Sequence, residues 1–320
     1  MADKKFYWGF MMMLSRHMWA DESTKGGAWY VAKPYREEND FDLNVWDRTI
    51  DLLGKLKYNL LLIDVGDMVK YETHPEISAP NAWDKDYFKK KLDEIRALGI
   101  TPIPKLNFSC AHDTWLKKYR RMVSTPEYYQ VGRDLIREVG ELFGTPELFH
   151  IGFDEETAGD QAGYEMITVR GEELWWHDLN FFAKECEKNG SRPWMWSDYM
   201  WNHEDLFIKN MSREIMQSNW FYGTFANKMR WDDNMESIRL GAYELLDRLG
   251  FDQILTGSSW RSVINTEQTV GHAKYALGEE HTKGVLVAPW LDTTETSECG
   301  LACEAQRLYN GRKRFYPETL

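Results

Sequence analysis

Short apolar runs alternate along the chain with longer segments in which apolar residues recur every three or four positions. The runs that predict buried strands are residues 6–14, 59–65, 101–106, 148–153, 193–196, 214–218, 253–256 and 284–288. Helix-period segments separate most of them, and such alternation is typical of parallel strands joined by crossover helices. Eight repeats in 320 residues predict an α/β fold, a closed (β/α)8 TIM barrel, rather than an open sheet.

Four of the helices are recognisable from apolar stripes at helical spacing. The stripes are Phe88, Leu92, Ile95 and Leu98; Val131, Leu135, Val139 and Leu142; Trp175, Leu179, Phe182 and Cys186; and Ile238, Ala242, Leu245 and Leu249. Three helical segments stop at a glycine, Gly99, Gly190 or Gly250, that leads directly into the next strand. Glycine commonly follows the end of a helix, so these connections are predicted to be short.

The connections that follow the strands are longer, and they include residues 16–45, 66–83, 198–213 and 220–235. This asymmetry predicts long βα loops on the C-terminal face of the barrel, where barrel active sites lie. There is no linker rich in Pro, Gly or Ser and no repeat of fixed period. We therefore interpret residues 1–320 as a single catalytic domain.

The composition excludes several classes of partner. The formal net charge is −12, which disfavours nucleic acid and anionic lipid as partners. No apolar run approaches the roughly 20 residues that span a bilayer. Residues 6–14 lack a small-residue cleavage site, so we expect a cytoplasmic protein, or an exported one if a signal was removed. The cysteines show no CxxC spacing, which predicts no metal site.

The end of the fourth predicted strand carries the strongest candidate chemistry. His150, Gly152 and Asp154 share one face of a strand, and Glu155 follows directly. Both acids can reach one ligand only if the strand ends about there, because neighbouring side chains on a strand point to opposite faces. On spacing alone, the two acids fit the start of a solvated loop equally well.

Polar and aromatic side chains follow the other predicted strands. Arg16 follows the first strand, Asp67 the second and His112 the third. Four later strand ends carry a tryptophan, which predicts an aromatic pocket wall. These are Trp196, Trp220, Trp260 and Trp290, with Tyr222 and Asp292 two residues beyond the second and the fourth.

An aromatic floor, a cation, a histidine and a few acids suit glycoside cleavage. In that reaction one acid protonates the leaving oxygen while the other stabilises the cationic centre, and tryptophan rings stack on the apolar faces of sugars. The first strand lacks a His-x-His pair, we predict no lysine at a strand end, and no Gly-rich phosphate loop is evident. We therefore expect no metal and no cofactor.

Four segments, in order, resemble the catalytic domain of glycoside hydrolase family 20, the β-N-acetylhexosaminidases. Residues 14–18 resemble the first-strand motif with its arginine, and residues 58–67 the second strand with its aspartate. Residues 103–112 resemble the third strand with its histidine. Residues 150–155, His-Ile-Gly-Phe-Asp-Glu, resemble the diagnostic motif His-x-Gly-Gly-Asp-Glu.

The resemblance implies a retaining exo-β-N-acetylhexosaminidase that acts on a terminal β-linked N-acetylhexosamine. Glu155 would be the general acid/base, and Asp154 would orient the 2-acetamido group, whose oxygen replaces an enzyme nucleophile. Asp67 and His112 would form a relay behind Glu155. The remaining implied contacts to the sugar are Arg16, Trp196, Trp220, Trp290 and Asp292, with His150 in support. Trp260 is a further candidate contact because it follows a predicted strand.

Two departures from the family pattern affect the substrate. Phe153 replaces the second glycine, where it either narrows the approach to the ligand or packs against a neighbour. Residues 256–261 replace the seventh-strand Tyr-x-Asp, and Tyr222 is a candidate substitute for the tyrosine. Two alternatives therefore stay open: a TIM-barrel glycosidase of different sugar specificity, and a sugar-binding protein that has lost turnover.

Overall fold

A computed structural model describes residues 5–22, 24, 35–225 and 235–320. The predicted loops 16–45 and 220–235 therefore lie partly outside the described residues. Eight parallel strands form a closed barrel in sequence order, which confirms the predicted (β/α)8 fold. The strands are β1 Tyr7–Met13, β2 Leu60–Asp64, β3 Thr101–Lys105, β4 Leu148–His150, β5 Arg192–Trp196, β6 Met216–Ser218, β7 Gln253–Gly257 and β8 Thr282–Val287.

Helices cover the outside of the barrel. They are α1 Leu43–Lys55, α2 Lys85–Ala97, α3 Pro126–Leu142, α4 Glu172–Lys188, α5 Tyr199–Asn202, α6 Glu204–Asn210, α7 Met235–Arg248, α8 Asn265–Tyr275 and α9 Glu298–Phe315. Short 3₁₀ helices span Thr114–Met122, Glu295–Ser297 and Pro317–Thr319. No described helix combines the length and the apolarity that a membrane crossing requires.

The strands are mostly apolar because both of their faces are buried. On β1, Phe10 and Met12 pack against the helices, whereas Met11 and Met13 fill the barrel interior. The register aligns Met13 with Asp64, Asp64 with Lys105, and Lys105 with His150. The C-terminal ends of the first four strands therefore stand at one level, and the side chains that follow them share one mouth.

Local signals fix the helix ends. The side chain of Asp42 accepts from the backbone N–H groups at the start of α1, and Thr125 does the same for α3. Gly99, Gly190 and Gly250 have φ of 77°, 80° and 74°, which confirms their prediction as helix-ending residues. The connections before the strands are short, and the loops at the opposite, C-terminal face are long.

The predicted stripes are confirmed on α3 and α4, and two positions are wrong elsewhere. Leu98 lies just past the end of α2 and is 42% exposed, and Ile238 is 40% exposed. On α7 the buried face differs from the predicted stripe, because it includes Tyr243 and Leu246. Cys299 and Cys303 are exposed, whereas Cys110 and Cys186 are buried.

Two glycines of α3 give opposite predictions for substitution by alanine. A Cβ at Gly132 would lie 2.4 Å from Cε1 of Phe182 on α4, but at Gly140 the nearest atom is 3.9 Å away. We expect Gly132→Ala to lower the free energy of unfolding by about 1–3 kcal/mol because it overpacks the helix contact. Gly140→Ala should raise it by about 0.5–1 kcal/mol, since alanine is favoured in a helix. Urea unfolding of both variants measures this, and shifts of the same sign would contradict the packing.

Candidate active site

The chain turns sharply where β4 ends, and the turn brings two acids together. Gly152, Phe153 and Glu155 all have left-handed backbones, with φ of 78°, 69° and 53°. These conformations break the alternation of a strand, so Asp154 and Glu155 both reach the imidazole of His112. The predicted strand end is therefore present, and the pair is not simply the start of a solvated loop.

Neighbouring packing explains why the turn has this sequence. A Cβ at Gly152 would lie 1.8 Å from Oδ1 of Asn107, so only glycine fits there. Phe153 points away from the mouth and packs against Trp175 and Phe182, at ring separations of 5.6 and 5.9 Å. Phe153 thus packs against neighbours instead of narrowing the approach to a ligand.

His112 links the two carboxylates. Its Nε2 lies 3.4 Å from Oδ2 of Asp154 and 3.2 Å from Oε2 of Glu155. Burial by itself would lower the pKa of His112, but the adjacent Asp154 and Glu155 raise it to about 10. The imidazole is therefore protonated at neutral pH, and its charge lies between the two carboxyl groups.

The two acids have different environments. Asp154 is buried and accepts a 2.9 Å hydrogen bond from Nδ2 of Asn107, whereas the side chain of Glu155 is 40% exposed. Burial tends to raise the pKa of Asp154, but His112 outweighs it and the pKa is lowered. Asp154 is thus a fixed anion, and Glu155 is the acid that an incoming ligand can contact.

Asp198 is a third acid at this place, and the sequence analysis missed it. Its Oδ2 accepts from the backbone N–H of Glu155 at 2.9 Å, and its Oδ1 from the indole of Trp220 at 3.3 Å. Burial raises the pKa of Asp198 well above its usual range, and the charge of Asp154 raises it further. The spacing that singled out Asp292 after Trp290 also separates Asp198 from Trp196, so this signal was present.

Aromatic side chains form a continuous wall beside the acids. The rings of Trp196 and Trp290 lie 5.8 Å apart, and the indole of Trp290 donates to the hydroxyl of Tyr222 at 2.8 Å. Tyr222 stacks on Trp220 at 5.2 Å. Trp19, which the sequence analysis did not single out, extends the wall between Trp290 and His112.

Trp260 does not belong to this wall. It is 42% exposed, and among the described residues it makes no ring contact with Trp196, Trp220 or Trp290. Its backbone N–H donates to Ser258 in the loop after β7. The described ring contacts thus join three of the four predicted tryptophans to the wall.

Arg16 and Asp292 meet at the mouth, as their positions after β1 and β8 predict. Nη2 of Arg16 lies 3.5 Å from Oδ2 of Asp292, and Nη1 lies 3.6 Å from Oδ2 of Asp40. An isolated bridge between Met13 and Asp292 extends the β1–β8 seam to this point. The guanidinium is buried and its contacts are long, so it is available to hydrogen-bond a ligand.

The predicted relay of Asp67 and His112 is not formed. Asp67 pairs with Nδ1 of His17 at 2.6 Å and also accepts from Ser15 and Asn39. Nδ1 of His112 is buried and has no hydrogen-bond partner among the described residues. His17, from the β1 loop, takes the position opposite Asp67, so Asp67 anchors that loop instead of supporting Glu155.

His150 supports the turn from inside the barrel. Its Nδ1 accepts from the backbone N–H of Gly152 at 3.1 Å, and its ring lies 4.4 Å from that of Trp196. Burial lowers the pKa of His150 well below its usual value, and nearby Lys105 lowers it further. Lys105 ends β3 and forms a buried ion pair with Asp64, so the expectation that no strand end carries a lysine is wrong.

Within the described residues, no group of three or more His, Cys, Asp or Glu side chains is arranged to hold a metal ion.

Solved structures of GH20 enzymes share this fold. They include an exo-β-N-acetylglucosaminidase from Vibrio harveyi in complex with N-acetylglucosamine, with a TM-score of 0.62 and 14% identity over 99% of this chain and 58% of that one. The Flavobacterium johnsoniae chitobiase has a TM-score of 0.64 and 18% identity over 98% of this chain and 51% of that one. Dispersin B has a TM-score of 0.58 and 15% identity over 95% and 98%.

The chain therefore spans less than two thirds of the Vibrio and Flavobacterium enzymes. No protein-family model and no curated protein sequence matches the chain. At these identities the likeness establishes the fold.

The raised pKa of His112 predicts how the stability of the folded protein depends on pH. Its folded pKa is raised from 6.5 to about 10, so its stabilising contribution is complete below about pH 6.5 and is lost as the pH rises through 10. We expect His112→Gln to cost about 3 kcal/mol at pH 6, because it removes one partner of a buried charge pair. The difference in Tm from the unmodified protein should then shrink towards pH 10.5.

Thermal unfolding across this pH range measures the difference. His177→Gln is a suitable control, since the side chain of His177 is 62% exposed. A constant difference between His112→Gln and the unmodified protein from pH 6 to 10.5 would rule out a charged His112.

Proposed function

We propose that the protein is a retaining exo-β-N-acetylhexosaminidase that uses substrate-assisted catalysis. The observation that carries the proposal is the pair of adjacent acids, one buried and one open to the mouth, that share His112. Solved GH20 enzymes with the same barrel support it. The substrate would be a carbohydrate that ends in a β-linked N-acetylhexosamine.

The two acids suit different roles. Glu155, with its exposed side chain, would donate a proton to the glycosidic oxygen and later remove one from water. Asp154 is a fixed anion and would accept a hydrogen bond from the N–H of the 2-acetamido group. Because the two acids are adjacent and share His112, they would not flank the glycosidic bond, which favours attack by the substrate's own amide.

The proposed reaction has two steps. The acetamide oxygen forms a bond to the anomeric carbon while the bond to the leaving oxygen breaks and Glu155 protonates that oxygen. This gives an oxazolinium ion, whose positive charge Asp154 stabilises. Water then attacks the anomeric carbon, Glu155 takes its proton, and the acetamide oxygen leaves, so the β configuration is retained.

The wall would bind the sugar. Trp196, Trp220 and Trp290 would enclose the acetamide methyl group. The Tyr222 hydroxyl accepts from the Trp290 indole, so its own hydrogen is available for the acetamide oxygen. Arg16 and Asp292 would hydrogen-bond the ring hydroxyls of a terminal sugar.

A second candidate is a glycosidase of the same fold that does not use an acetamide group. The loop after β7 favours it, because residues 256–261 contain no tyrosine and no acid. Hydrolysis of an aryl N-acetyl-β-glucosaminide beside the matching aryl β-glucoside separates the two. Turnover of the glucoside at an equal or higher rate would favour the second candidate. Binding of a thiazoline analogue without hydrolysis of either glycoside would indicate a sugar-binding protein.

The first prediction for activity concerns Glu155. We expect Glu155→Gln to lower kcat on an aryl N-acetyl-β-glucosaminide by about 10²–10⁴-fold, because the amide cannot supply a proton. Glu173→Gln, at an exposed position near the start of α4, is the matched control and should leave kcat within about twofold. Comparable kcat values for the two variants would refute the role of Glu155.

A separate prediction concerns Asp154. Asp154→Asn should lower kcat by about 10²-fold or more on N-acetyl substrates, since the developing oxazolinium loses its counter-charge. Binding of a thiazoline analogue, measured by calorimetry, should also weaken in Asp154→Asn, whereas Glu155→Gln should retain it. If the plain aryl glucoside loses as much activity as the N-acetyl substrate, Asp154 does not act on the acetamide.

A further inference from the structure

Asp198 lies behind the proposed proton donor. It follows β5 and is buried, and each of its carboxyl oxygens accepts one hydrogen bond. One bond comes from the backbone of Glu155, and the other comes from the indole of Trp220. Asp198 therefore joins the acid to the aromatic wall through a single carboxyl group.

The backbone of Glu155 requires such a partner. Its φ of 53° is a left-handed conformation that costs an ordinary residue about 1 kcal/mol or more. Its N–H is directed away from the strand ladder, and Asp198 supplies the acceptor at 2.9 Å. Because the side chain of Glu155 is 40% exposed, its position depends strongly on how its backbone is held.

The other oxygen of Asp198 fixes the wall. Trp220 stacks on Tyr222 at 5.2 Å and packs edge-on against Trp201 at 4.4 Å. The indole of Trp201 in turn donates to Asn219 at 2.9 Å. A sugar resting on Trp220 would therefore be held in register with Glu155 through the carboxyl group of Asp198.

We propose that Asp198 is a positioning residue, which holds Glu155 at a fixed place relative to Trp220 so that its proton reaches the glycosidic oxygen. This inference rests on the proposed function. Burial and the adjacent Asp154 both raise the pKa of Asp198.

The test compares two leaving groups. Phenyl N-acetyl-β-glucosaminide needs a proton on its leaving oxygen, whereas the 2,4-dinitrophenyl glycoside needs almost none. We expect Asp198→Leu to lower kcat/KM on the phenyl substrate by about 10²-fold and on the dinitrophenyl substrate by less than about tenfold. General damage to the pocket would lower both values equally.

Three further variants make the test specific. Asp198→Asn keeps an acceptor for the N–H of Glu155, so it should recover part of the loss on the phenyl substrate. Trp220→Phe removes the indole donor and so breaks the same linkage as Asp198→Leu. The double variant should therefore lose little more kcat/KM on the phenyl substrate than Asp198→Leu alone. Asp205→Asn, at an exposed position on α6, is the matched control and should behave as the unmodified protein.

The possible results separate a failure of the proposed function from a failure of the inference about Asp198. If the unmodified protein cleaves neither substrate, the proposed function is wrong and the inference fails with it. Suppose that the unmodified protein cleaves both substrates. The inference alone is then wrong if the kcat/KM values of Asp198→Leu equal those of Asp205→Asn, or if Asp198→Leu lowers kcat/KM on both substrates by the same factor. Thermal unfolding shows whether Asp198→Leu is folded, and if it is not, Asp198→Asn and Trp220→Phe decide by the same leaving-group comparison.

Discussion

The left-handed turn at the end of β4 is the constraint on which the site depends. An extended strand would direct Asp154 and Glu155 to opposite faces, and only one of them would reach the mouth. The turn is possible because Gly152 leaves room for Asn107 and because Phe153 packs into the helix layer. The barrel core thus stabilises a backbone that is unfavourable in isolation.

Electrostatics then gives the neighbouring acids different properties. One cation, His112, lies against both, but Asp154 is buried and bonded to Asn107 while Glu155 remains open. Asp198 lies in the same cluster with a raised pKa, so its charge does not have to be compensated as well. The cluster holds one fixed anion and one accessible acid, which is the difference that a proton donor and a charge stabiliser require.

The hydrophobic pattern predicted the barrel because both strand faces are buried and each helix needs one apolar stripe. It also predicted which residues follow each strand, since parallel strands end at one face. It could not predict which of these residues pair, because loop conformation decides that. Asp67 was assigned to His112, but the β1 loop brings His17 closer. Trp260 was assigned to the wall, but none of the described ring contacts joins it to Trp196, Trp220 or Trp290.

The end of the seventh strand is closely packed. A Cβ at Gly257 would lie 2.7 Å from Oγ1 of Thr269, so the end of β7 packs tightly against α8 and leaves no room for a side chain there. Under the proposed function, polar contacts to a sugar would therefore come from the neighbouring loops, through Tyr222 after β6 and Asp292 after β8. The turn after β4 is not independent of these loops, because Asp198 accepts from both the backbone of Glu155 and the indole of Trp220.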